Sequence, residues 1–144
     1  MKIVLVTGGF DPLHSGHIAY FNEAKKLGDK LIVGINSDAW LIRKKGKPFM
    51  PSHERTIIVQ SLSMVDGCIL FNDDDDTAIE AIKNVKNLWT DAQVIFANGG
   101  DRTAENIPEM AVPDIEFVFG VGGAKTASSS EFLQRWSDTS SQAA

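Results

Sequence analysis

The sequence predicts an α/β fold on a five-stranded parallel sheet. Two observations carry that prediction. Five short runs (residues 3–6, 30–35, 68–71, 94–97 and 115–119) are nearly solidly apolar. A strand buried on both faces reads this way, whereas a half-exposed strand alternates. Between the runs, apolar residues recur at helical spacing, which is the βαβ pattern of a parallel sheet.

The elements follow in order. Ile3 to Val6 form the first strand, closed by Thr7, Gly8 and Gly9. After a loop through Phe10, Asp11, Pro12 and Leu13, a helix starts near Ser15. Ile18, Phe21, Ala24 and Leu27 stripe it, and Gly28 stops it. After the second strand, Asn36, Ser37 and Asp38 cap a short helix carrying Trp40 and Leu41. Residues 43–51 are basic, with a glycine and two prolines, and read as a loop. Ser52 caps a helix whose inward face is Ile58, Leu62 and Val65. Beyond the third strand comes an acidic turn at residues 72–76. A helix striped by Ala78, Ile82, Val85 and Trp89 then leads to the fourth strand. The fifth strand runs into a glycine-rich turn at residues 120–127. Phe132, Leu133 and Trp136 mark a last helix, and a small polar tail starts at Ser137.

With 144 residues, 43% of them hydrophobic and 23% charged, the chain suits one core. Residues 1–136 are expected to form one domain and 137–144 a tail. Cys68 is the only cysteine, which excludes a disulfide scaffold. No apolar run has the length of a membrane span, and the first residues do not read as a secretory signal. A cytoplasmic protein is expected. The net charge of −5 argues against a general nucleic-acid binder. The average conceals a split, +4 over residues 1–55 and −9 over the remainder.

In a parallel sheet, sites lie beyond the strand C-terminal ends. That rim takes in residues 7–17, 98–102 and 120–130. The first of these is the most informative. Gly8 and Gly9 after a strand let backbone approach a ligand. A helix N-terminus near His17 offers N–H groups and partial positive charge to a phosphate. His14 and His17, three residues apart, share that end. Gly16 between them removes a side chain that would crowd the phosphates. Two other patterns fail. Residues 120–126 suggest a P-loop, but Ala124 stands where glycine is needed and the segment follows the last strand. The G-x-G-x-x-G spacing of dinucleotide-binding modules is absent from the first turn.

Thr7-Gly8-Gly9-Phe10-Asp11-Pro12-Leu13-His14-Ser15-Gly16-His17 closes on H-x-G-H and resembles the signature of cytidylyltransferase-like nucleotidyltransferases. The resemblance extends to about Trp136. Residues 47–55 with Val65 and Asp66 resemble both glycerol-3-phosphate cytidylyltransferases and heptose-1-phosphate adenylyltransferases. Asp75-Asp76-Thr77 and Gly99-Gly100-Asp101 are closer to the heptose enzymes. Ser128, Ser129 and Ser130 resemble the serine-rich run closing the nucleotide site in both. The chain departs from the glycerol phosphate type in having Lys125 before the serines and Gly100-Asp101-Arg102 after the fourth strand. It departs from the heptose type at Asn98, which those enzymes fill with lysine.

The resemblance implies a Rossmann-like three-layer sandwich and a homodimer. It also implies transfer of a nucleoside monophosphate from CTP or ATP to a small phosphorylated acceptor, such as glycerol 3-phosphate or a sugar 1-phosphate. Mg2+ would be held mainly by the nucleotide phosphates. His14 and His17 would bind phosphate oxygens through the transition state. One of Lys44, Lys45 and Lys47 would close over the phosphates, with Lys44 the catalytic candidate and Lys47 an acceptor ligand. Arg55 would bind acceptor phosphate. Thr7, Gly8, Gly9, Phe10, Asp11, Gly16, Gly99, Asp101, Arg102, Thr126, Ser128, Ser129 and Ser130 would line the nucleotide site. Asp11 is a candidate for orienting a histidine or holding Mg2+ through water, the alternative being a turn with Pro12. Residues 73–76 read as acids complementing a helix start in preference to a metal cluster, Cys68 as inert core, and Trp40 as core packing, the alternative being a cover over the site. A non-catalytic nucleotide-binding module on the same fold is the alternative function.

Overall fold

The computed structural model describes residues 1–100, 102–123 and 127–138. The strands are β1 (Lys2–Gly8), β2 (Lys30–Ile35), β3 (Gly67–Leu70), β4 (Gln93–Ala97) and β5 (Glu116–Val118). They form one sheet in the order β3-β2-β1-β4-β5. Every pairing is parallel. The helices are α1 (Ser15–Lys25), α2 (Asp38–Lys45), α3 (Ser52–Gln60), α4 (Ile79–Leu88) and α5 (Ser129–Ser137). A single 3-10 turn, Pro108–Ala111, lies between β4 and β5.

Three layers follow from the order. From β1 the chain steps outward to β2 and β3, then crosses back to β4 and β5. Right-handed crossovers therefore put α1 and α3 on one face and α4 with the 3-10 turn on the other. β1 shows both cores at once. Val4 and Val6 pack with Phe21, Ala24 and Val59, while Ile3 and Leu5 pack with Ala81, Ile82 and Val85. The architecture is the parallel α/β sheet that the apolar runs predicted, arranged as the Rossmann-like sandwich that the resemblance implied.

Three helices differ from expectation. α2 continues through Arg43, Lys44 and Lys45, which were expected in a loop. Ser37 caps its start by accepting the Trp40 N–H at 3.0 Å. Three cations in the last turn suit its negative end. Gly46, at φ +94°, ends it. In α3 the buried residues are Arg55 and Val59, while Ile58 is 37% exposed. Ser52 is the first helical residue and Pro51 precedes it, without a side-chain cap. The stripe of α3 is displaced because an arginine takes an inward position. α5 forms as expected but buries none of its residues.

Candidate active site

The order of outward steps reverses between β1 and β4, and ligands bind open α/β sheets at such a point. An open pocket of about 390 Å³ lies there. That volume is in the range of small-molecule sites. It draws on the turn after β1, on α2, on the end of β4, on the turn after β5 and on the start of α5.

The turn after β1 is held by its own backbone. His14 is the residue before α1, and its Nδ1 accepts the Gly16 N–H at 3.0 Å. The His17 Nδ1 accepts the His14 N–H at 3.2 Å. The two imidazoles thus do the work of a reciprocal helix cap. The same bonds select a tautomer. A neutral imidazole whose Nδ1 accepts carries its proton on Nε2 and donates from there. The rings stack with centroids 3.8 Å apart, and the Phe10 ring stands edge-on to His17 at 5.0 Å. Phe132 of α5 lies 5.8 Å from His14.

The glycines make room for protein more than for ligand. A Cβ on Gly8 would come within 2.8 Å of the Phe10 ring, and one on Gly9 within 3.0 Å of Leu41. A Cβ on Gly16 would meet the His14 ring at 2.8 Å. Gly16 therefore admits the His14 imidazole, where the sequence suggested clearance for phosphates. Gly8 does not line the pocket, whereas Thr7, Gly9, Phe10 and Gly16 do. Asp11 also lines the pocket, but its carboxylate does not orient a histidine. It is 1% exposed, and its carboxylate accepts the amide N–H groups of Phe49 and Met50, the latter at 2.7 Å. Both oxygens tie the segment before α3 to the site, so they are spent on backbone.

The basic segment divides. Lys44 and Lys45 line the pocket and Lys47 does not. Lys44 Nζ sits 4.8 Å from the centre of the Trp40 ring, itself a pocket wall. Trp40 thus covers the site, against the core role expected for it. Lys45 Nζ donates to the Asp11 carbonyl at 3.2 Å. Arg43 turns away, donating to the Asp73 carbonyl at 2.7 Å and to the Asp76 carboxylate at 3.0 Å. Arg55, expected to bind an acceptor, is 1% exposed. Its guanidinium donates to the carbonyls of Met50, Gly9 and Asn36 and to the Asp38 carboxylate at 2.7–2.9 Å. It stitches the ends of β1 and β2 to α3 and does not line the pocket.

Asp73 belongs to the same scaffold. Its carboxylate accepts the Ser37 hydroxyl at 2.6 Å, the Ser37 N–H at 2.8 Å and the Asn36 side-chain amide at 3.0 Å. Burial pushes this carboxyl up, but those bonds and Arg43 more than reverse the effect, leaving it below the ordinary value. It serves the α2 cap, since α4 begins only at Ile79. Cys68 is half-buried, and burial pushes its thiol up to about 11, which suits an unreactive side chain.

The opposite wall holds Tyr20, Asn98, Gly99, Gly122 and Arg102. The Tyr20 hydroxyl donates to the Ala97 carbonyl, and burial pushes its proton affinity up against the opposing charge of Arg102. Tyr20 was missed in the sequence, although its position three residues after His17 puts it on the same helix side. Ser128, Ser129 and Ser130 reach the pocket at the start of α5. Ser128 accepts the Glu131 N–H as a cap, and Ser129 Oγ donates to the Pro12 carbonyl at 2.7 Å. Asp101 and Thr126 lie outside the described residues.

Residues 5–134 match the cytidylyltransferase-like family. The chain belongs to that family. Two curated relatives, each named bifunctional protein HldE, come from Nitratiruptor and Pelobacter propionicus. They are 42% identical over 74% of this chain and 35% identical over 94% of it. The chain spans only 22% and 28% of their lengths. A solved lipopolysaccharide core biosynthesis protein from Thermoplasma volcanium is 31% identical. It matches over 83% of this chain and 95% of its own, with a TM-score of 0.62. A bifunctional NMN adenylyltransferase/ADP ribose pyrophosphatase from Francisella tularensis aligns at 17% identity and a TM-score of 0.66. That alignment covers 94% of this chain and 42% of that one, and shows shared fold alone.

For a cytidylyltransferase-like chain, the pocket has a consistent polarity. Two imidazoles, the Lys44 and Lys45 side chains, the Arg102 guanidinium and hydroxyls line it, and the one acid there among the described residues, Asp11, has its carboxylate bonded to backbone N–H groups. No three acidic, histidine or cysteine side chains converge among the described residues. Such a donor set suits phosphate oxygens, and Mg2+ is commonly carried to a site by substrate phosphates and water. No helix among the described residues is long and apolar enough to cross a membrane.

Proposed function

We propose that this chain transfers a nucleoside monophosphate from ATP or CTP to a small phosphorylated acceptor. An acceptor phosphate oxygen bonds to the α-phosphorus, the α–β bridging P–O bond breaks, and pyrophosphate leaves with its electron pair. The attacking oxygen is already anionic near neutral pH, because a phosphate monoester's second pKa is about 6. The chain therefore needs no general base. It needs fixed donors where charge develops and two anions held in line.

The observation that carries the reading is the paired histidine cap. Backbone amides occupy both Nδ1 atoms, so both rings present donors at Nε2 beside the pocket. Bonds to the chain's own backbone hold both rings, which is what preorganised transition-state stabilisation requires. Lys44, from the end of α2, supplies positive charge on the same pocket. The start of α5, with Ser128–Ser130, adds backbone N–H groups and hydroxyls. Thr7, Gly9, Phe10, Gly16, Gly99 and Arg102 complete the nucleotide contacts. Mg2+, bound to the phosphates, would neutralise charge on the leaving pyrophosphate.

The likeness to heptose-1-phosphate adenylyltransferases and the HldE relatives favour ATP with a sugar 1-phosphate. The test crosses ATP, CTP, UTP and GTP with sugar 1-phosphates, glycerol 3-phosphate and phosphonates, scoring pyrophosphate. Release with ATP and a sugar 1-phosphate is expected. Nucleotide binding with no pyrophosphate from any pair would establish a non-catalytic module instead.

A further inference from the structure

Glu109 is a buried acid that the proposed chemistry does not use. It is 2% exposed and sits in the 3-10 turn Pro108–Ala111, with Ile107 and Val112 anchored in the core on either side. One oxygen, Oε2, accepts the Ala78 N–H at 2.8 Å, at the start of α4. The other, Oε1, is buried without a hydrogen bond. Orphaned buried carboxylate oxygens are costly and uncommon, so this one asks for a cause. Its nearest cation is Arg102, with Nη1 at 3.6 Å. Arg102 lines the pocket, and its side chain remains 48% exposed.

The two contacts of Glu109 differ in kind. The Ala78 bond anchors Oε2 at the start of α4 and leaves Oε1 on the side of Arg102. The Arg102 contact is an ion pair slightly longer than a hydrogen bond, which leaves the guanidinium N–H groups able to reach a ligand. The distance exceeds the 2.7 Å at which the buried Arg55 pairs with Asp38. We propose that Glu109 is a positioning residue, whose buried carboxylate holds the Arg102 guanidinium at the pocket rim to bind oxygen atoms of the nucleotide. This rests on the nucleotidyltransferase reading above. It adds a residue that touches no ligand and lies outside every motif of the sequence.

The experiment compares the wild-type chain, R102A, E109Q and the double variant, using a non-hydrolysable ATP analogue in calorimetry and steady-state kinetics. Glutamine keeps an oxygen for the Ala78 N–H and turns an amide N–H2 toward Arg102. R102A and E109Q should each weaken analogue binding about tenfold, as expected for losing one charged contact. KM for nucleotide should rise with little change in kcat. The double variant should bind no more weakly than R102A, because both changes remove one interaction. E109Q binding like wild type, or losses that multiply in the double variant, would overturn the proposal while leaving the nucleotidyltransferase reading intact. If E109Q does not fold, E109D, which withdraws the carboxylate from Arg102, is held to the same outcomes. A wild-type chain that binds no nucleotide overturns both readings.

Discussion

Residues 7–17 and 43–55 offer a comparison inside one molecule. The first leads from the end of β1 into α1, the second from the end of α2 into α3, and each carries glycine, proline and groups suited to phosphate. In the first segment, Nδ1 of each histidine accepts a backbone N–H, and both rings line the pocket. In the second, Arg55 commits four hydrogen bonds to the scaffold from a buried position. The difference lies in the donors. A two-nitrogen ring can brace the fold with one atom and act with the other. A buried five-donor guanidinium must satisfy nearly all its N–H groups on protein, and nothing remains for a ligand. Lys44, in the last turn of α2, keeps the phosphate-binding potential that Arg55 gave up.

The sharpest break in this comparison is H17A. Removing one donor to the developing charge should lower kcat by about a hundred- to a thousandfold. The same change removes a cap on α1, so stability should fall by about 1 kcal/mol. Pyrophosphate release and thermal melting on the same preparation separate the two effects. Wild-type turnover in H17A would remove the histidine pair from the mechanism.

The second break sets R55A against K44A. R55A leaves Asp38 and three backbone carbonyls without their partner, and should cost about 3–5 kcal/mol by denaturant unfolding. R55K should recover little of this, since one ammonium cannot span four acceptors. K44A should leave stability within about 0.5 kcal/mol, as exposed positions do. Its kcat/KM should fall about ten- to a hundredfold, the worth of one charged contact to phosphate. If R55A were stable and inactive, Arg55 would return to the site and the contrast would fail.

The fold was legible because strand burial is written in unbroken apolar runs such as Ile3 to Val6, and the rim then follows from connection order. The histidines were legible because their spacing and the helix start coincide. The glycines were legible only as positions needing room. Whether a ligand or a neighbouring ring claims that room at Gly8 and Gly16 depends on where Phe10 and His14 turn, which spacing does not encode. Arg55 was read as an acceptor ligand because local sequence does not show the strand ends that converge on it. Those acceptors, Gly9 and Asn36, lie 46 and 19 residues away. Glu109 was silent for the same reason, being defined by Ala78 and Arg102 in space.

The smallest effect concerns the acidic turn, where Asp73 supports the basic helix from beneath. Its carboxyl is held below its ordinary value in the folded chain. A group of that kind stabilises fully above its unfolded pKa, about 3.9, and the contribution fades as pH falls through the lower folded value. Wild-type melting temperature should therefore drop on acidification below about pH 4, with Asp73 responsible for part of the slope. D73N keeps an acceptor for Ser37 but cannot take up the proton, so its acid slope should be shallower. At pH 7 it should lose about 1–3 kcal/mol, because a buried charged acceptor is weakened. Melting curves from pH 3 to 7 for both proteins measure this directly. Parallel curves would show that the Asp73 contacts are not proton-linked, and would separate the scaffold under α2 from the charge it carries.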